Sequence, residues 1–99
     1  MRAPQHRRLE SINPDGILAD LSTRQHLNPH HTLRQAMAAA QNELGFCPNA
    51  AQTAIQWLRL DEGSAIGRLR RTELIQLARS IHRFWRQAVA SAAPESQPA

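Results

Sequence analysis

Apolar residues recur at intervals of three and four through most of this chain, and no stretch alternates apolar and polar by twos. That spacing is helical, and β-branched residues are few, so strands are not expected. Punctuation divides the pattern into four helices. Asn13-Pro14 is a start signal, and Ile17, Leu18 and Leu21 form one short apolar stripe that runs to about Arg24. The second helix is expected to start with Asn28 as cap and Pro29 in its first position, and to stop at Gly45. Leu33, Ala36, Met37, Ala40 and Leu44 lie between as a core-facing stripe. A third helix from about Pro48 to Leu60 gathers Ala51, Ala54, Ile55 and Leu58 on one side, and Asp61-Glu62-Gly63 breaks the chain.

The fourth helix is the longest. A short turn at Ser64–Leu69 precedes it, and Thr72 is placed to cap a run from Glu73 to about Ala92. At about 100° per residue, Leu74, Leu77, Ala78, Ile81, Phe84, Trp85, Ala88 and Val89 share one arc. Gln76, Arg79, Arg83 and Arg86 fall on the opposite arc. The expected fold is therefore all-α: a small bundle of about four helices with a long C-terminal amphipathic helix. Residues 1–11 and 93–99 lack periodicity and read as a disordered arm and tail, leaving 12–92 as a single helical domain.

Length narrows the picture. A chain of 99 residues holds one domain with a thin core, so dimerisation or a partner would usefully add buried area. No apolar run reaches the roughly 18–20 residues that span a bilayer, and no apolar segment follows the basic N-terminus as a secretory signal requires. Cys47 is the single cysteine, which suits a reducing cytosol. A cytoplasmic protein with no membrane association is the expectation.

Charge changes less than it first suggests. The pI is about 11.3, yet the net charge is only +4, and all basic residues are arginine with no lysine or tyrosine present. With so little to titrate above histidine, a small excess of arginine drives the pI high. Within 12–92, nine arginines face six acids, a net +3. The alanine-rich, lysine-free composition points to a GC-rich bacterial or phage coding sequence and says nothing about function.

Candidate chemistry is sparse. There is no glycine-rich phosphate loop, paired-carboxylate motif or Ser/His/Asp arrangement. Cys47 lies near a helix start that would favour a thiolate, but no base or oxyanion site is marked, and a small buried hydrophobe is the better reading. His26, His30 and His31 lack the nearby Cys, Asp or Glu that would complete a metal set. No enzyme activity, cofactor, metal or small-molecule substrate is expected.

Two binding readings remain. Arg79, Arg83 and Arg86 are surface neighbours at helical spacing, and like charges so placed cost a few tenths of a kcal/mol unless an anion or acidic partner meets them. A solvated helix face accounts for them equally simply. Beside them, Leu77, Ile81, Phe84 and Trp85 supply an apolar strip, and Trp flanked by Arg is a common interface anchor. These seven residues form the candidate protein interface. The function it suggests is a non-enzymatic regulatory protein docking on a protein partner, such as an adaptor or antiactivator occupying a transcription factor, or on a copy of itself as a homodimer.

The alternative is DNA. Leu44-Gly45-Phe46-Cys47-Pro48-Asn49 resembles the leucine-glycine-hydrophobic-small-proline turn of many helix-turn-helix units. The resemblance covers about a quarter of the chain, and Gln41 stands where such units usually place an alanine for close helix packing. It implies that the third helix enters the major groove with Asn49, Gln52, Thr53, Gln56 and Arg59 outward, while Arg68, Arg70 and Arg71 meet phosphates. An ordinary αα-hairpin explains the same segment and is the simpler reading.

Overall fold

A computed structural model of the protein describes residues 12–95. The expected N-terminal arm, and residues 96–99 of the expected tail, lie outside the described residues. Among the described residues there are four α-helices and no strand: α1 (Pro14–Leu27), α2 (Leu33–Leu44), α3 (Pro48–Trp57) and α4 (Arg71–Glu95), with a 3-10 turn at Ile66–Arg68 before α4. This is the small all-α bundle that the periodicity predicts. The longest helix is the hub, since α4 packs extensively against both α1 and α3.

The helix starts follow from satisfying exposed backbone N–H groups. At α1, the Asn13 side chain accepts from the Gly16 N–H at 2.8 Å, with Pro14 in the first turn. The start of α2 departs from expectation. Asn28-Pro29 does not open it; Asn28 instead ends α1, and α2 begins five residues later, at Leu33, under a capping box. Thr32 Oγ1 accepts from the Gln35 N–H, while the Thr32 N–H donates to Gln35 Oε1. Two more first-turn donors reach across the molecule, Leu33 N–H to the Ser64 carbonyl and Arg34 N–H to that of Glu62.

Residues 28–32 are thus engaged by tertiary pairing and not by a helix. The Ile66 N–H donates to the His31 carbonyl at 2.7 Å and the Gly67 N–H to that of Pro29 at 2.8 Å. Gln25 on α1 donates from one amide nitrogen to the carbonyls of both Ile66 and Leu69. Ile66 itself is fully buried. The 3-10 turn is a plug joining the end of α1, the start of α2 and the approach to α4.

Helix ends are equally specific. Gly45 closes α2 in the left-handed conformation, φ 89°, as its position predicts. The third helix is shorter than expected, ending at Trp57 instead of Leu60. The Leu60 N–H donates to the Ile55 carbonyl and the Arg59 N–H to that of Gln56, a Schellman arrangement centred on Arg59 at φ 58°. A left-handed arginine costs about 1–2 kcal/mol that glycine would not. Arg59→Gly is therefore expected to raise stability by about 0.5–1 kcal/mol after the added chain entropy of glycine, measured as a higher denaturant midpoint with an unchanged slope. At α4, Glu73 and not Thr72 supplies the cap, its carboxylate accepting from the Arg70 N–H at 2.7 Å.

The core is wholly apolar among the described residues. Ile17 and Leu21 of α1, Leu33, Ala36, Met37 and Ala40 of α2, Phe46, Ala50, Ala51, Ala54 and Ile55, and Leu74, Leu77, Ala78 and Ile81 of α4 are all buried. The alanines of α3 let α4 lie close, and Phe46 fills the corner between α2 and α3. No helix among the described residues is long and apolar enough to cross a membrane.

Candidate docking surface

The first half of α4 buries its apolar arc, and the second half outruns the bundle. Leu74, Leu77, Ala78 and Ile81 are buried, Phe84 and Trp85 are half-buried, and Ala88 and Val89 are exposed. Leu77 and Ile81, expected at a protein interface, are 0% exposed and belong to the core. Their neighbours α1 and α3 cover them from either side. The contact-forming part of the expected set reduces to Phe84, Trp85 and the three arginines.

Arg79, Arg83 and Arg86 point outward, as the periodicity predicts. Among the described residues the side-chain ion pairs are Arg24–Asp20 and Arg34–Glu62, each at 2.7 Å, so these three have no carboxylate. Arg83 instead lies over two rings, 5.9 Å from the centre of Trp57 and 5.6 Å from that of Phe84. The two rings meet edge to face at 6.1 Å. Such contacts are worth roughly 0.5–1 kcal/mol each at an exposed site.

Trp57 is the residue the sequence did not single out. It is 63% exposed, although it follows the buried Ala50 and Ala54 at seven and three residues and so points toward α4. It stays in solvent because α3 ends at this residue. It extends over Phe84 from the end of the helix. Next to it, Asn49, Ala50, Thr53, Phe84, Gln87 and Ala88 line an open groove of about 390 Å³ between α3 and the overhanging half of α4.

On the α1 side of α4, the His82 and Trp85 rings lie 6.2 Å apart. Burial first, and then the Arg86 guanidinium, hold the His82 pKa below its usual 6.5. The unfolded chain then binds the proton more readily, so the linkage lowers stability as pH falls through 6.5 toward the depressed value. The expected result is a denaturation midpoint that drops modestly with acidification, and a shallower drop in His82→Gln.

The residues of the DNA reading are scattered by comparison. Asn49, Gln52, Thr53 and Gln56 are all exposed on α3. Arg59, expected on the same helix, lies beyond its end in the left-handed turn, so it leaves that face. Arg68, Arg70 and Arg71 cluster at the start of α4, where Arg59 and Arg68 share a cavity of about 250 Å³ with Asp61 and Glu73. Asn49 borders Gln87 near the other end of α4, and the sixteen residues from Arg71 to Gln87 span about 24 Å of helix. Gln41 and Gln52 line a groove of about 310 Å³ between α2 and α3, so these helices do not close as tightly as an alanine at position 41 would allow.

His30 and His31 touch ring to ring at 5.1 Å. Among the described residues no three His, Cys, Asp or Glu side chains gather as a metal site would require. Cys47 is half-buried and precedes Pro48 at the start of α3. Comparison with protein-family models, curated proteins and solved structures gives no match to this chain.

Proposed function

We propose that this chain is a non-enzymatic regulatory protein that docks on a protein partner in the cytoplasm, in the manner of an adaptor or antiactivator occupying a transcription factor. The observation that carries the reading is Trp57, 63% exposed and fixed by Phe84 and Arg83. An ordered aromatic with an arginine beside it is the composition of an interface anchor. Covering the exposed part of a tryptophan is worth a few kcal/mol, roughly, at 25 cal/mol per Å², and its contacts with Phe84 and Arg83 reduce the ordering that binding would cost. Arg86 and Trp85 lie on the same half of α4 as Phe84, and Arg79 one turn before it.

Partner capture is the test. Trp57→Ala should remove the complex, seen by pull-down and by size exclusion, while circular dichroism retains its helical signal. Unchanged capture and elution would exclude Trp57 as the anchor.

A second reading, DNA binding, is favoured by one observation: Asn49, Gln52, Thr53 and Gln56 form an exposed polar face on a helix that follows a three-residue turn. Titrating salt against binding to random duplex DNA separates the two. A protein using its arginines on phosphates shows affinity falling steeply with salt; the docking reading expects no measurable duplex binding even at low salt.

A further inference from the structure

Resting on the docking reading, we infer the chemistry of the partner: the groove between α3 and the overhanging half of α4 takes an acidic segment of a different protein, with a bulky apolar anchor flanked by carboxylates. Charge complementarity selects such a segment. No Asp or Glu occurs anywhere in α3, nor in α4 from Leu74 to Ala90. Arg83 stands exposed over Phe84 at the groove, and Arg79 and Arg86 are exposed farther round the same helix.

The molecule's own carboxylates are largely committed elsewhere. Asp20 pairs with Arg24 and Glu62 with Arg34. Glu73 caps α4 through the Arg70 N–H, and Asp61 accepts from the Gly63 N–H and the Ser64 hydroxyl. Among the described residues no carboxylate pairs with the three guanidinium groups, and at helical spacing they repel one another. An acidic partner removes that repulsion and gains charge-assisted hydrogen bonds.

The groove supplies what the rest of such a segment needs. Ala50, Phe84 and Ala88 offer an apolar lining, and Trp57 packs edge to face on Phe84. Asn49, Thr53 and Gln87 are neutral groups able to hydrogen-bond a partner backbone. A second copy seated here on a two-fold axis would bring its own acid-free, arginine-bearing surface against this one, placing like charges together. Duplex DNA would answer the arginines but would leave the apolar lining and the exposed tryptophan without a role.

Panning a displayed library of random linear peptides against the full chain tests this. Selected peptides should be enriched in Asp and Glu around an aromatic or leucine residue. A labelled member should bind with anisotropy that weakens as salt rises. Its affinity should fall about tenfold or more in Arg83→Glu, by less in Arg86→Glu, and be lost in Trp57→Ala. Both arginines and the tryptophan are exposed, and helical circular dichroism checks that each variant folds. Selected peptides without an acidic excess that still depend on Trp57 would overturn the acidic partner and leave the docking reading standing. If no selected peptide depends on Trp57, both fall, and low-salt binding of a labelled duplex would then assign the surface to nucleic acid.

Discussion

Leu77→Ala is expected to destabilise the domain by roughly 2–5 kcal/mol, the range for truncating a leucine that cannot be refilled by its neighbours. Leu77 is fully buried where α4 crosses its two helical neighbours. Three of the four buried residues of α3 are alanines, which cannot reach into the space a lost isobutyl group leaves. A small domain stands only about 5–15 kcal/mol above its unfolded state, so this one change removes a large share. Urea denaturation followed by circular dichroism reads it directly. Trp57→Ala serves as the contrasting measurement, with an expected loss of about 1 kcal/mol from its ring and guanidinium contacts. If instead Leu77→Ala leaves stability intact and changes only binding, the division between core and docking surface along α4 is misplaced.

Gly67→Ala is the second large effect, expected to cost about 2–3 kcal/mol through overpacking. A Cβ at this position would meet the Cβ and the carbonyl oxygen of Pro29 at 2.8 Å each, and the Pro29 Cα at 3.2 Å. The proline ring cannot rotate away, and its carbonyl is the acceptor for the Gly67 N–H. Relief therefore requires the 3-10 turn to lift from the 28–32 segment, which loosens the His31–Ile66 pairing and the two bonds from Gln25. Gly16→Ala is the matched control: its Cβ would meet only Asn13 Oδ1, at 3.5 Å, and alanine is the better helix former. Stability should be equal or higher there. A thermal midpoint that does not move in Gly67→Ala would show that Pro29 yields easily.

The contrast between these sites explains what was legible in the sequence. Asn13-Pro14 and Gly45 act locally, through a side-chain cap and a left-handed stop, and both are found where the residues predict. The buried face of α4 was legible for a related reason, since a period of 3.6 identifies a side of a helix from its own residues. Periodicity carries no information about how far along that side the neighbours reach. Leu77 and Phe84 look alike in sequence, yet α1 and α3 cover the first completely and the second only in part.

Other features depend on partners distant in sequence. Asn28-Pro29 is a strong local start signal, but the backbone of 29–31 bonds to residues 66 and 67, and the weaker-looking Thr32–Gln35 pair becomes the cap. Nothing marks Arg59 for a left-handed turn; Leu60 reaching back to Ile55 holds it there. Trp57 shares its azimuth with two buried alanines, so its exposure follows from where α3 stops and not from which way the residue points. Of the residues expected at an interface, Arg79, Arg83 and Arg86 are exposed and Phe84 and Trp85 half-buried, while Leu77 and Ile81 belong to the core.

Because α4 supplies the surface against which both α1 and α3 close, the order of synthesis matters. As the polypeptide leaves the ribosome, Ile17, Leu21, Ala50 and Ala54 emerge before anything exists to shield them. The nascent segment up to the 3-10 turn is left greasy and open until some 25 further residues have cleared the exit tunnel. The two principal helix–helix contacts of the bundle, with α1 and with α3, can form only once α4 has emerged.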